Sequence, residues 1–251
     1  MSTRTPVPSA SNSPLMSVRN LTEDAADLYI YGEIVDNTDW KWDESDVMPA
    51  DVLNAMKSVE GLKTLNIYIN SPGGSVFAGL AIYNMLKRNP AKKNVYVDGL
   101  AASIASVIAQ AGDNIYMPAN AFLMIHKPWT IAMGDSNFFR KLAEDLDVIE
   151  SGVMEVYKDN MRENISIETI QQMVDDETWL TAEEAAKYFN IEMIDSKQVA
   201  ACATHVLQKY NKTPDNLIKF PETPVAKSTD ASTQNEKNII AWQNELDLLA
   251  L

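Results

Sequence analysis

The chain holds only two imidazoles, His126 and His205, and imidazole is the side chain that changes protonation near neutral pH. His126 ends the apolar run Phe122-Leu123-Met124-Ile125 and precedes Lys127-Pro128. Strand ends are where α/β sheets gather their sites, so a general base and a satisfied structural histidine are both open readings of it. His205 falls in Val199 to Lys209, which reads as a surface helix, and is the weaker candidate. Ser103 stands between a strand-plus-glycine segment and a run of small residues, at the first turn of an expected helix. Unpaired N–H groups and the positive helix end there would stabilise an oxyanion. Ala101, Ala102 and Ala105 let a substrate approach closely; the plainer reading of Ser103 is a helix cap. Ser106, one turn on, reads as packing or bonding back to the backbone. Ser71-Pro72-Gly73-Gly74 offers a second set of N–H groups that no side chain shields, or simply a tight strand-to-helix turn. Asp175-Asp176-Glu177-Thr178-Trp179 is acidic enough to orient an imidazole, or is a solvated loop.

In chain order these are a Gly-Gly turn, a serine at a helix start, a histidine at a strand end and an acid before a helix. A nucleophile, a base, an orienting acid and oxyanion donors are the parts of a serine hydrolase. The Gly-x-Ser-x-Gly elbow is absent. So are a phosphate loop, His-Glu-x-x-His and paired cysteines, so neither a metal nor another cofactor is expected.

The elements that must hold these residues are legible from periodicity. Asp27 to Ile34 alternates and reads as a strand. Met48 to Val59 reads as a helix, Leu65 to Ile69 as a strand, Ala78 to Lys87 as a helix stopped by Asn89-Pro90, and Asn94 to Val97 as a strand. A turn is expected at Asp98-Gly99, then a small-residue helix over Ala101 to Ala111, then strands at Asn114 to Met117 and Phe122 to Ile125. Asp135 to Glu163 is a long amphipathic helix, and Ser166 to Val174 and Thr181 to Phe189 are shorter ones. Thr181 with Glu184 forms a capping box in front of the last. Alternating strands and helices imply crossovers and a mostly parallel sheet.

Around this core, residues 1–20 read as a disordered Ser/Pro-rich arm, 21–210 as the folded domain, 211–235 as a Pro-containing linker and 236–251 as a short amphipathic segment. The chain has 251 residues and a net charge of −14, all of it within residues 21–210. That balance argues against nucleic acid as a partner. One cysteine, Cys202, gives no disulfide framework. No apolar run is long enough to span a bilayer, and the start lacks the apolar core of a secretory signal. No membrane association and a cytoplasmic setting are therefore expected.

Four segments resemble the ClpP family of serine peptidases. Asn70-Ser71-Pro72-Gly73-Gly74-Ser75-Val76 with Ala78 to Tyr83 is similar to its Asn-Ser-Pro-Gly-Gly segment and following helix. Gly99-Leu100-Ala101-Ala102-Ser103-Ile104 is similar to its nucleophile segment, and Met124-Ile125-His126-Lys127-Pro128 to its histidine segment. Leu180 to Ala185, through Ile194-Asp195, resembles a further family stretch, so that the likeness runs over residues 27–208. It implies an α/β, ClpP/crotonase-like fold of repeated β-β-α crossover units with a protruding handle helix at 135–163. It implies Ser103 as nucleophile, His126 as base, and the Gly73 and Ile104 N–H groups as oxyanion hole. A polypeptide substrate would lie as an added strand between Gly74, Ser75 and Val76 on one side and Lys127, Pro128, Trp129 and Ile131 on the other. The family has Asp where this chain has Glu177; Glu177 is the expected acid, with Asp176 the alternative. The resemblance implies a serine endopeptidase in a homo-oligomeric ring, doubled through the 135–163 helix. The extra arm and tail, the Trp40 and Trp42 loop and Glu177-Thr178-Trp179 resemble ClpP-related prohead proteases of tailed phages. That implies cleavage of scaffold or capsid protein, in the host cytoplasm or inside the prohead. The alternatives are a Clp-type proteolytic subunit working with an unfoldase, and a silent scaffold protein of the same fold.

Overall fold

Alternating burial along three neighbouring strands defines the architecture. In β2 (Ala25–Tyr31), β3 (Thr64–Ser71) and β4 (Lys92–Ala102), Leu28, Ile30, Leu65, Ile67, Ile69, Val95 and Val97 are sealed from solvent. The residues between them, Tyr29, Tyr68 and Tyr96, stay half-exposed on the other face. There Tyr29, Tyr68, Tyr96 and Tyr116 stack across four strands, with ring centroids 4.7, 5.0 and 5.0 Å apart. A second row runs beside them: Asn114 donates to Asn94 at 2.9 Å, Asn94 to Asn66 at 3.1 Å and Asn66 to Asp27 at 2.8 Å. Parallel sheets are ordinarily covered on both faces. Along Leu28–Ile30, Leu65–Ile69 and Val95–Val97 this one buries a single face, which gives the period-2 pattern, whereas Leu100, Ala102 and Met124 near the strand ends join a second buried cluster.

The structure, a computed structural model, describes residues 16–37, 43, 45–195 and 210–214. Its strand order is β1-β2-β3-β4-β5-β8, with β1 at Met16–Arg19, β5 at Asn114–Pro118 and β8 at Ile191–Ile194. The pairings from β2 to β8 on this path are parallel, whereas β1 lies antiparallel to β2. β1 falls inside the stretch read from composition as a disordered arm. Its pairing with Asp27 to Ile30 extends the sheet to Met16; residues 1–15 lie outside the described residues.

Helices α1 (Pro49–Ser58), α2 (Val76–Arg88) and α3 (Ile104–Ala109) lie between the strands in the chain, and their apolar residues join the core formed by the sealed face. The long β4 is shared. Asn94 to Tyr96 pair with β5, and Leu100 to Ala102 pair with β6 (Phe122–Ile125). The expected turn at Asp98-Gly99 does not form. Asp98 instead accepts the Tyr31 hydroxyl, and the strand runs on to the threshold of α3.

α4 (Ser136–Asn160) is capped by Asp135, which accepts from Asn137 and Phe138 N–H at 3.0 and 2.9 Å. Its buried residues, Glu150, Val153, Met154, Val156 and Tyr157, all lie in its second half. The first half projects as a handle, exposing Phe138, Phe139 and Val148. α5 (Ile167–Asp175) leads to β7 (Thr178–Thr181), which pairs antiparallel with β6. α6 (Ala182–Tyr188) begins at the expected Thr181–Glu184 capping box. Residues 196–209, with Cys202 and His205, the Trp40 and Trp42 loop, and everything after Pro214 lie outside the described residues.

Candidate active site

β4 hands Ser103 to the site. The Ser103 N–H donates to the Met124 carbonyl at 2.9 Å, carrying the β4–β6 pairing one residue further. The chain then turns sharply at Ser103, with φ 54° and ψ −130°, and α3 starts at Ile104. A non-glycine residue held there stores about 1–3 kcal/mol of strain. The same sharp strand-to-helix turn lifts the serine of α/β-hydrolases out of the sheet. It arises here without the Gly-x-Ser-x-Gly pattern. The helix-cap reading fails, because the Ser103 side chain makes no capping bond. Its Oγ lies 2.7 Å from His126 Nε2.

Glycine is required opposite this turn. Gly73 has φ +94°, and a Cβ built on it would stand 2.7 Å from Ser103 Cβ and 2.6 Å from the Ala102 carbonyl oxygen. It would also stand 3.2 Å from the Ile104 nitrogen, so Gly73 and the first residue of α3 lie side by side next to Ser103. The Gly73 N–H donates to Ser71 Oγ at 3.2 Å, a long bond within the same turn. Behind Ser103, Ser106 Oγ donates to the Ser103 carbonyl at 2.5 Å and lies 2.7 Å from the Tyr157 hydroxyl. Ser106 has one proton and spends it on the carbonyl, so Tyr157 is the donor to Ser106.

His126 follows β6 directly. Burial lowers its pKa below the ordinary 6.5, opposed by the negative charge of Glu177. The ring is therefore neutral at neutral pH. For Nε2 to accept the Ser103 proton, Nδ1 must carry the ring hydrogen.

Neither expected acid meets that hydrogen. Among the described residues no carboxylate hydrogen-bonds His126. Glu177, buried and at φ 50°, turns its carboxylate to a short C-terminal segment. Oε2 accepts from the Asn211 N–H at 3.1 Å and from Asn211 Nδ2 at 3.2 Å, and Oε1 accepts from the Lys212 N–H at 2.5 Å. Asp176 is exposed and accepts from Gln172 Nε2 at 3.0 Å. Asn211 and Lys212 belong to the stretch read from composition as a linker; they lie against the site. Tyr210 before them sits edge-to-face on His126, centroids 5.1 Å apart, and donates its hydroxyl to the Pro72 carbonyl. Nothing in the Lys-Tyr-Asn-Lys composition of this segment points to a site, and sequence reasoning missed it.

The expected substrate edges are unequal. Ile34 already pairs with one side of the glycine turn: its N–H donates to the Gly73 carbonyl and its carbonyl accepts the Ser75 N–H, both at 2.7 Å. Strand alternation turns the N–H and C=O of Gly74 the other way. Gly74 must lack a side chain, since a Cβ would fall 1.9 Å from the Ile34 carbonyl oxygen. Ser75 is engaged elsewhere, capping α2 and donating to Asp36 at 2.7 Å, and Val76 is the first residue of α2. Opposite, the Lys127 ammonium bridges Glu150 at 3.2 Å and Asp175 at 3.1 Å, which raises its pKa. That pins the start of the Pro128–Ile131 segment and leaves Trp129 and Ile131 exposed. A cleft of about 440 Å³ opens between His126, Trp129, Glu177 and Tyr210. Among the described residues no cluster of histidine, cysteine and acids could hold a metal, and no helix is long and apolar enough to cross a membrane.

A serine–histidine pair at a strand-to-helix turn, on a sheet with crossover helices and a projecting handle, defines a ClpP-type serine peptidase. Residues 24–197 match the Clp protease family, and the chain belongs to it. It is 37% identical over 134 residues to an ATP-dependent Clp protease proteolytic subunit of Ligilactobacillus salivarius, covering 53% of this chain and 67% of the relative. A protein of the same name from Bacteroides fragilis is 32% identical over 141 residues, 55% of this chain and 67% of the relative. Another from Bacteroides thetaiotaomicron is 30% identical, over 55% of this chain and 63% of the relative.

Proposed function

We propose that the chain cleaves polypeptides through an acyl-enzyme on Ser103. The observation that carries this reading is the 2.7 Å approach of Ser103 Oγ to His126 Nε2 at the strained turn. A substrate strand pairs with the free edge of Gly74 and with the backbone after His126, which brings one carbonyl carbon to Oγ. His126 takes the Oγ proton as the C–O bond forms. The oxyanion is received by the N–H groups of Gly73 and Ile104, the former exchanging its long bond to Ser71. His126 then protonates the leaving amine, and water repeats the sequence to free Ser103. Glu177 is the acid that steadies the imidazolium, with Asp176 the alternative.

The working form is a homo-oligomeric ring in which the sites face an enclosed chamber. The projecting first half of α4 supports pairing of two such rings. The biological setting we propose is head maturation in a tailed phage, with scaffold or capsid protein as substrate. It rests on the extra arm and tail and on Glu177-Thr178-Trp179. A second setting is favoured by the names of the relatives: a proteolytic subunit that receives chains from an ATP-driven unfoldase.

The test is intact-protein mass after treatment with a fluorophosphonate, wild type beside Ser103→Ala. One adduct that maps to Ser103 and is absent from the variant supports the reaction; a folded wild type that takes no label overturns it. Cleavage of a coexpressed scaffold protein without nucleotide favours the first setting. Degradation only with an unfoldase and ATP favours the second.

A further inference from the structure

Tyr210, Asn211 and Lys212 touch the proposed site on two sides at once. Tyr210 ties to the Pro72 carbonyl, next to the oxyanion glycine, and lies across His126. Asn211 and Lys212 occupy both oxygens of Glu177. The Lys212 ammonium also meets the Asp176 carbonyl and stands 4.0 Å from its carboxylate. Glu177 is thus engaged by both residues and Asp176 is approached by Lys212, while Nδ1 is given no acceptor among the described residues. N–H groups bonded to a carboxylate form hydrogen bonds about twice as strong as neutral ones, so the contact is not an idle one. Glu177 also carries one methylene more than the aspartate expected there. That extra rotatable bond gives the carboxylate one more torsion about which to turn from the segment toward the imidazole.

We propose that Tyr210–Lys212 is an intramolecular latch that withholds Glu177 from His126, and that the site reaches full activity only when this segment leaves the cleft. The inference rests on the reading of Ser103 and His126 as the reacting pair. Tyr210, Asn211 and Lys212 line the same cleft as His126 and Trp129, so an entering substrate strand competes with the latch. Displacing it couples substrate binding to completion of the triad.

The test uses the full chain with Asn211→Pro, which removes both donors to Glu177 Oε2. Two quantities are read: the rate of fluorophosphonate labelling at Ser103, and the titration of His126 by NMR. With only two histidines in the chain, His205→Gln leaves a single imidazole to follow. Release should raise the labelling rate at least about tenfold. It should also raise the His126 pKa, because a carboxylate at Nδ1 favours the charged ring. Adding Glu177→Gln should cancel both effects. If Asn211→Pro does not fold, Tyr210→Ala carries the same expectation in both readouts. An unchanged His126 titration, or labelling of Ser103 that is present but stays level or falls, overturns the latch and leaves the Ser103 reading intact. A raised His126 pKa with no adduct on Ser103 supports the latch and overturns that reading.

Discussion

Tyr157 on the handle helix and Ser106 on α3 share a buried hydrogen bond of 2.7 Å, and Ser106 passes its own proton to the backbone carbonyl of Ser103. The handle is thereby connected to the backbone of the proposed nucleophile through two hydroxyls. Removing the middle hydroxyl is the more damaging change. Ser106→Ala leaves the Tyr157 hydroxyl buried without a partner, at a cost of about 1–3 kcal/mol, whereas Tyr157→Phe should cost about 0.5–1.5 kcal/mol. Ser106→Ala should also lower kcat more than it raises KM, since it frees the turn that aims Oγ. Thermal melts beside steady-state peptide hydrolysis read both effects.

Gly73 and Gly61 make a matched pair. Both have positive φ, +94° and +84°, but a Cβ on Gly61 would meet nothing within 4 Å. Gly61→Ala should therefore carry only backbone strain, about 1 kcal/mol, with full labelling of Ser103. Gly73→Ala adds the collision with Ser103 Cβ and should cost about 1–3 kcal/mol more and abolish labelling. Equal labelling of the two variants would remove Gly73 from the oxyanion hole.

His126 sets the acid limb of the pH profile. The base must be neutral, and its pKa lies below 6.5, so activity should persist to lower pH than an ordinary imidazole allows. Stability follows the same sign. Between the folded pKa and 6.5 the unfolded chain binds more protons, so stability rises with pH through that window and is lost on acidification. His126→Ala should flatten this limb of the stability curve and slow acylation by about 10²- to 10⁴-fold.

Ser103→Ala should leave the fold almost untouched, within about 0.5 kcal/mol, since the side chain caps nothing. Circular dichroism and sedimentation should match wild type while all covalent labelling is lost. A variant that fails to assemble would show that the serine has a structural part as well.

Which parts were legible in the sequence follows from the physics of each element. β2, β3 and β5 could be read because one face is dry and the other wet, which prints alternation into the chain. The Thr181–Glu184 box marked the start of α6 because the capping bonds are local. β7 and β8 were missed: four residues each are too few to display a period, and neither is an unbroken apolar run like the equally short β6. The turn expected at Asp98-Gly99 was wrong because long-range partners, Tyr31 and β6, hold the strand straight there. Ser103, His126 and Gly73 could be singled out from residue types in order; the structure sets Ser103 Oγ 2.7 Å from His126 Nε2 and packs Gly73 against Ser103. The partners of Glu177 were not, because a backbone N–H carries no mark of residue type and Asn211 lies 34 positions away.

The stacked tyrosines and bonded asparagines on the open face also bear on how the sheet is assembled. Each row repeats one residue type at matching positions on neighbouring strands: Tyr29, Tyr68, Tyr96 and Tyr116 in one, Asn66, Asn94 and Asn114 in the other. A slip of one residue between two strands would drive rings and amides into the aliphatic layer and expose isoleucines to water. The rows thus act as a ruler during folding. They make wrong alignments costly in long parallel strands, whose pairing must join distant chain segments.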